Sequence, residues 1–218
     1  MKGRLIVIDG GDGSGKKTQA ELLRKRLEQE GKEVVFFDFP VYESFYGKLV
    51  GRYLRGEFGS LDEVSPEFAA LLYALDRRAE REKIVSALEA GKIVLCNRYV
   101  PSNLAYQGAK IPVESQGEFI SWVEEMEYQV HGMPKPDQVI FLDVPAVVGQ
   151  RLVDKKGRRD YVDGRDLHEE NTDYLQSVVL LYKKLAKKEG WVVIPCVEHD
   201  QLLSREAIHS LVRKAVKD

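Results

Sequence analysis

Arg4-Leu5-Ile6-Val7-Ile8-Asp9 runs directly into Gly10-Gly11-Asp12-Gly13-Ser14-Gly15-Lys16-Lys17-Thr18, and a helical pattern follows from Lys16 to Glu30. From Gly10 to Lys16 the chain fits G-x-x-x-x-G-K. Glycines let the backbone curl its N–H groups around an anion, the positive end of the following helix points to the same place, and Lys16 brings charge to phosphate oxygens. A plain glycine turn between strand and helix is the bland reading. It is weak here, because the strand, the helix and the offset of the lysine all agree. All nine residues from 10 to 18 are therefore phosphate-binding positions. One departs from the pattern: Lys17 stands where Ser or Thr would reach Mg²⁺, and an ammonium group is no metal ligand.

Outward from this loop, short apolar runs alternate with long helical patterns. The strand-like runs are Arg4 to Asp9, Glu33 to Asp38, Lys92 to Asn97, Gln138 to Asp143 and Trp191 to Pro195. Each is rich in Val, Ile and Phe, as a strand covered on both faces should be. Helical patterns occupy Lys16 to Glu30, Pro66 to Ala90, Gln116 to His131, Glu169 to Glu189 and Arg205 to Val216, and Gly31, Gly91 and Gly190 stand where C-terminal caps belong. The alternation predicts an α/β domain spanning 1–218: a doubly wound, five-stranded parallel sheet flanked by helices. Ligands of such sheets bind beyond the carboxyl ends of the strands. Asp9, Asp38-Phe39-Pro40, Asn97-Arg98-Tyr99 and Asp143 should therefore converge on one rim.

Composition narrows the function. The 33 Lys+Arg against 35 Asp+Glu give a net charge of −2, which excludes a broad nucleic-acid-binding surface. No apolar stretch approaches the ~20 residues of a spanning helix, so no membrane partner is expected and a cytoplasmic location is. Cys96 and Cys196 lie apart in apolar runs and read as core thiols.

Two more segments bear on the acceptor. Tyr73 and Arg77 are four apart on one helical face, suited to stack on a base and to donate to its oxygens, although a core tyrosine beside a solvated arginine is the plainer reading. A second helix follows Asn97-Arg98-Tyr99 and carries Asn103, Tyr106 and Gln107.

At five ordered places, IDGGDGSGKKTQ, DFPVY, LLYALDR, NRYVPSNLAYQG and GRDLHEEN, the chain resembles the thymidylate (dTMP) kinases. The resemblance implies the P-loop nucleoside monophosphate kinase fold with a lid at about 154–167. It implies ATP and dTMP as substrates, Mg²⁺ as cofactor, dTDP as product and a homodimer as the assembly. Residue by residue, it implies that Lys16 stabilises the moving phosphoryl group and that Asp12 contacts the sugar 3′-hydroxyl or the metal shell. It gives the dTMP phosphate to Arg98 and Tyr42, beside Phe39-Pro40, and the base to Tyr73, Arg77, Asn103 and Gln107. Tyr106 would crowd the sugar 2′ carbon. Lid arginines Arg158 and Arg159 would close onto ATP, with Arg165 as a further cation. Asn97 stands where the family usually has a carboxylate that helps hold Mg²⁺, so a carboxylate restored there is expected to keep or raise activity. Two alternatives stay open: a kinase for another nucleotide or nucleoside, and a nucleotide-binding module whose catalysis is impaired by Lys17 and Asn97.

Overall fold

A computed structural model describes residues 3–154, 166–169, 171–198 and 201–216. In chain order the elements are β1 (Arg4–Gly10), α1 (Lys16–Gln29), β2 (Val34–Asp38), α2 (Phe45–Leu54), α3 (Pro66–Ala79), α4 (Arg81–Glu89), β3 (Ile93–Asn97) and α5 (Val100–Gly108). Then come α6 (Gln116–Glu124), which continues as a π-helical turn over Glu125–Val130, β4 (Gln138–Asp143), α7 (Ala146–Asp154), α8 (Thr172–Glu189), β5 (Val192–Pro195), β6 (Val197–Glu198), β7 (Gln201–Leu202) and α9 (Arg205–Ala215).

The first strand is central. It pairs with β3 from Arg4↔Ile93 to Ile8↔Asn97 and with β4 from Ile6↔Gln138 to Gly10↔Leu142. With β2 outside β3 and β5 outside β4, the order is β2-β3-β1-β4-β5 and every pairing is parallel. Alternate residues of β1 feed opposite cores. Leu5 and Val7 join Val94, Cys96 and Phe141 beneath α3, α5 and α8, while Ile6 and Ile8 join Leu95 and Ile140 beneath α1 and α9. Fully burying each such aliphatic side chain contributes about 1.5–3 kcal/mol. Cys96 and Cys196 are buried free thiols, and among the described residues no helix is long and apolar enough to cross a membrane.

Three helix boundaries differ from the sequence-based expectation. The pattern from Pro66 to Ala90 is two helices, because Glu80 (φ −95°, ψ 0°) ends α3 and begins α4. The pattern from Gln116 to His131 changes from α to π geometry after Glu124. The helix expected from Glu169 begins at Thr172, where the Asn171 side chain accepts from Tyr174 N at 2.9 Å. Ahead of it, Asp166 and Glu169 form a turn of their own: Asp166 Oδ1 accepts from His168 N at 3.0 Å, and Asp166 N donates to Glu169 Oε2 at 3.1 Å.

The glycine-rich loop lies on the backbone of α7. A Cβ on Gly13, whose φ is +71°, would meet Gly149 O at 2.0 Å, and a Cβ on Gly149 would meet Asp12 O at 2.2 Å. Two backbones this close have no room for a methyl group between them. Gly149→Ala is therefore expected to push the loop from α7 at a cost of about 2 kcal/mol, a fall in Tm of roughly 4–8 °C for a chain of this size. Thermal melts of the two proteins check this, and an unchanged Tm contradicts the contact.

Candidate active site

The carboxyl ends of β1, β2 and β3 open into a cleft of about 760 Å³, lined by residues of the P-loop, the Asp38–Glu43 segment, α3, α5 and the Asp166–Glu169 turn. This volume suits a nucleotide-sized ligand. From the loop, Asp12, Gly13, Gly15, Lys16 and Lys17 line the cleft, whereas Gly10, Gly11, Ser14 and Thr18 do not. Helix α1 starts at Gly15 in the left-handed region (φ 82°, ψ 14°), with no side-chain cap and with Lys16 and Lys17 in its first turn. Cations at this end oppose the helix dipole. An anion would reverse that penalty. The Lys16 ammonium is buried and donates to Gly11 O at 2.6 Å and to Ser14 Oγ at 3.4 Å, crossing the loop.

Asp9, fully buried at the end of β1, fastens the loop to the helices behind it. Its Oδ1 accepts from Gly10 N at 2.8 Å, Ser102 Oγ at 2.7 Å and Tyr182 OH at 2.7 Å. Nearby, Arg98 holds the left-handed conformation at φ 64°, unusual for a residue with a Cβ. Its N–H donates to Ile8 O at 3.0 Å. The guanidinium is ion-paired with Asp12, donates to Ser102 Oγ at 3.2 Å and lies 5.1 Å from the centre of the Tyr106 ring. Burial pushes the Asp12 carboxyl up, but Arg98 and Lys16 outweigh it and hold it at about 2. Asp12 is thus an anion at any working pH.

Tyr106 belongs to an aromatic wall. Its ring lies 5.3 Å from His168, 6.4 Å from Tyr174 and 6.2 Å from Tyr182. His168 is 4% exposed, and its Nε2 meets Tyr53 OH at 3.0 Å, while Lys110 Nζ donates to that same hydroxyl at 2.6 Å. With Lys110 donating, the Tyr53 proton goes to His168 Nε2, so the imidazole accepts and is neutral. Burial, reinforced by Lys110, lowers the His168 pKa to about 3. Burial also lowers Lys110 to about 8. Leu167 N donates to Leu54 O at 3.0 Å, so the Asp166–Glu169 turn is stitched to α2 by backbone and side chain together.

At the far end of the cleft stand Tyr73 and Arg77 of α3 and Asn103 and Gln107 of α5. Tyr73 sets its ring edge-on to Tyr53 at 6.2 Å. Arg77 is not the solvated arginine of the plainer reading: it is 2% exposed and ion-paired with Glu127, which is fully buried. Asn103 Nδ2 donates to Ala70 O and to Glu127 Oε1, each at 3.0 Å. Asn103 Oδ1 and both polar atoms of the Gln107 amide are buried without partners among the described residues. Phe39, Pro40 and Tyr42 also line the cleft, but Phe39 is 3% exposed and stacks on Phe37 at 5.9 Å, so its ring belongs largely to the core. Asp76 holds this segment through Val41 N at 2.9 Å and Ser44 Oγ at 3.0 Å.

Lys17 pairs with Asp38 at 2.9 Å, and Asn97 Nδ2 donates to the other oxygen of Asp38 at 2.5 Å. This changes the expectation for position 97. A carboxylate there would face that of Asp38 within hydrogen-bond distance, so Asn97→Asp sets two like charges together. Arg158, Arg159 and Arg165 lie outside the described residues, as does most of the expected lid. Glu127, Tyr182, Ser102, Asp76 and His168 were given no role by the sequence reading. Glu127 lies near the exposed-type residues Glu124 and Glu125, yet it falls at helical spacing from Ile120 and Val123 and is buried on the same side.

The chain is similar to known proteins of one family. A family model described as thymidylate kinase matches residues 8–208. The thymidylate kinase of Mycobacterium tuberculosis is 33% identical over 189 residues, covering 86% of this chain and 87% of that one. A probable thymidylate kinase of Pyrococcus horikoshii is 40% identical over 162 residues, 72% of this chain and 73% of its own. A solved thymidylate kinase structure from Candida albicans shares the fold with a TM-score of 0.70, covering 98% of this chain and 90% of that one at 23% identity.

The His168 environment makes stability depend on pH. Its folded pKa lies below the ordinary 6.5, so the unfolded chain binds the proton first as pH falls. The stabilisation is complete above pH 6.5 and is lost on the way down to about 3. His168→Gln is expected to give a shallower dependence of Tm on pH between 6.5 and about 5, a range above the Asp12 transition. Melts of both proteins across that range check it.

Proposed function

The chain belongs to the thymidylate kinase family, an ATP-dependent phosphotransferase that converts dTMP to dTDP, and on that premise we propose how its cleft divides between the two nucleotides. ATP takes the P-loop, with its phosphates against the α1 N-terminus and Lys16. The dTMP base takes the pocket of Tyr73, Arg77, Asn103 and Gln107, and its phosphate takes Arg98, beside Tyr42. The observation that carries this reading is the placement of Arg98. Its guanidinium touches Asp12 of the loop and Ser102 of α5, at the boundary between the two halves. Tyr106, packed beneath the same guanidinium, is then positioned to crowd a ribose 2′-hydroxyl.

Transfer needs little from the protein beyond alignment and charge. An anionic oxygen of dTMP forms a bond to the γ-phosphorus while the bond from that phosphorus to the β,γ-bridging oxygen breaks, and ADP leaves with the electron pair. No general base is required, because the nucleophile is already ionised. The cationic groups are Lys16 and Arg98, joined in this reading by Arg158 and Arg159 from the lid.

The residues present fit a magnesium ion of the kind that rides on substrate phosphates and keeps several waters, which needs only one or two protein carboxylates. Among the described residues no cluster of three or more metal-binding side chains occurs, and Asp38 and Asp143 are each paired with a lysine. Asp12 is likewise paired, with Arg98, but it is ionised and lines the cleft, and it would hold the ion when Arg98 turns to the dTMP phosphate. When bound, Mg²⁺ supplies neutralisation of phosphate charge. A homodimer is part of the proposal, supported by Phe68 and Leu71, which share one face of α3 and are 44% and 38% exposed. So is a cytoplasmic location.

ADP release measured with ATP, Mg²⁺ and, in turn, dTMP, dUMP, dCMP, UMP and thymidine tests the reading. Fastest turnover with dTMP is expected; preference for another acceptor overturns the base assignment. Lys16→Ala is expected to lower kcat by about 10²–10³ with little change in Tm, whereas a normal rate in that variant removes the loop from catalysis.

A further inference from the structure

Glu127 does not line the cleft, yet it controls two groups that do. Its Oε1 accepts from Arg77 Nε at 3.1 Å, from Arg77 Nη2 and from Asn103 Nδ2 at 3.0 Å, and its Oε2 accepts from Arg77 Nε at 3.2 Å. All three residues are at most 2% exposed. The backbone carrying Glu127 is itself held: Met133 N donates to Glu127 O at 2.9 Å and His131 N to Met126 O at 2.8 Å. It lies in a π-helical turn, a geometry frequent at functional sites.

The chemistry follows from counting hydrogens. The Asn103 NH₂ has two, and both are spent, one on Ala70 O and one on Glu127 Oε1. Both partners are pure acceptors, so the amide has one permitted orientation, with Oδ1 turned away from them and unpartnered. A buried acceptor with no internal partner is costly unless a ligand satisfies it. Asn103 therefore presents an acceptor only, and Arg77, held from its Nε side, presents a donor. Together they match a base edge that shows an N–H beside a carbonyl, as thymine and uracil do. Cytosine offers an unprotonated ring nitrogen beside an amino group and meets an acceptor and a donor in the wrong places.

We propose that Glu127 is a positioning residue that fixes base selectivity by locking the Asn103 amide and the Arg77 guanidinium in the donor–acceptor order that rejects cytosine. The inference rests on the assignment of this pocket to the dTMP base, and it adds to that assignment a buried group that never touches the nucleotide.

Glu127→Gln is the decisive variant. An amide at 127 offers one acceptor oxygen where the carboxylate offers two, so it cannot hold Arg77 and Asn103 together; with Ala70 O left as the remaining restraint on the Asn103 amide, the two groups lose their fixed order and the pocket discriminates the two base edges less. The expected result, read from steady-state kinetics with dTMP and dCMP, is a rise of about tenfold in KM for dTMP, the size of one buried hydrogen bond. Alongside it, kcat stays within a few-fold, and the dTMP:dCMP ratio of kcat/KM narrows by at least as much. A purely structural role would lower Tm without altering that ratio. Unchanged KM and an unchanged ratio in Glu127→Gln overturn the proposal. If the wild-type protein itself fails to prefer dTMP over dCMP, the base-pocket assignment fails instead, so the two failures are distinct. Should Glu127→Gln not yield folded protein, Glu127→Asp decides: it keeps the acceptor oxygens but shortens their reach. A narrowed dTMP:dCMP ratio of kcat/KM with kcat preserved supports the proposal, and an unchanged ratio overturns it.

Discussion

The carboxylate of Asp9 ties the phosphate loop to the rest of the molecule. It closes the central strand, and one of its oxygens takes hydrogen bonds from the first N–H of the loop, from Ser102 on α5 and from Tyr182 on α8. Helix α5 carries Asn103, Tyr106 and Gln107, and α8 follows the Asp166–Glu169 turn. The loop and the far pocket are therefore referenced to a single buried atom. In a fold whose chemistry is alignment of two phosphate groups, small displacements of either partner are expensive in rate, and a shared anchor limits them.

Around that anchor, charge is spent in two different ways. The Arg77–Glu127 pair is fully desolvated, and such pairs do not raise stability over an apolar filling of the same shape; their use is in fixing geometry, since losing either partner strands the other. The pairing of Lys17 with Asp38 is of the opposite kind, with side chains 62% and 35% exposed. Solvated pairs of this sort are worth at most about 1 kcal/mol. Lys17 can therefore trade its carboxylate for a phosphate oxygen at little cost, while Arg77 is committed to its partner.

Much of this was legible in the sequence, for definite reasons. Strands buried on both faces are short unbroken runs of Val, Ile, Leu and Phe, so all five were located to within a residue, Gln138–Asp143 with both ends right. Of the strand-end residues expected on one rim, Asp38, Phe39, Pro40, Asn97 and Arg98 line the cleft, whereas Asp9, Tyr99 and Asp143 do not. Helix α2 lies in a stretch to which no helical pattern was assigned; it carries Gly47 and Gly51, and Gly47 is required because a Cβ there would meet Val41 O at 1.8 Å. The supporting residues were hidden for a related reason. Glu127 is 50 positions from Arg77 and Tyr182 is 173 from Asp9, so nothing local marks either as a partner.

The uncapped start of α1 carries one more consequence. Four helices of this chain begin with a serine or asparagine that satisfies their first N–H groups, namely Ser44, Ser65, Asn171 and Ser204. The helix after the phosphate loop begins instead with two cations and no such side chain. On the proposed assignment of the loop, a nucleotide phosphate supplies the cap. A ligand that binds only the folded state adds RT ln(1 + [L]/Kd) to its stability, so the thermodynamic robustness of this protein varies with the amount of nucleotide around it. The unliganded chain is the version most open to local unfolding and proteolysis, and the supply of phosphorylated nucleotide thereby enters the lifetime of the enzyme as well as its turnover.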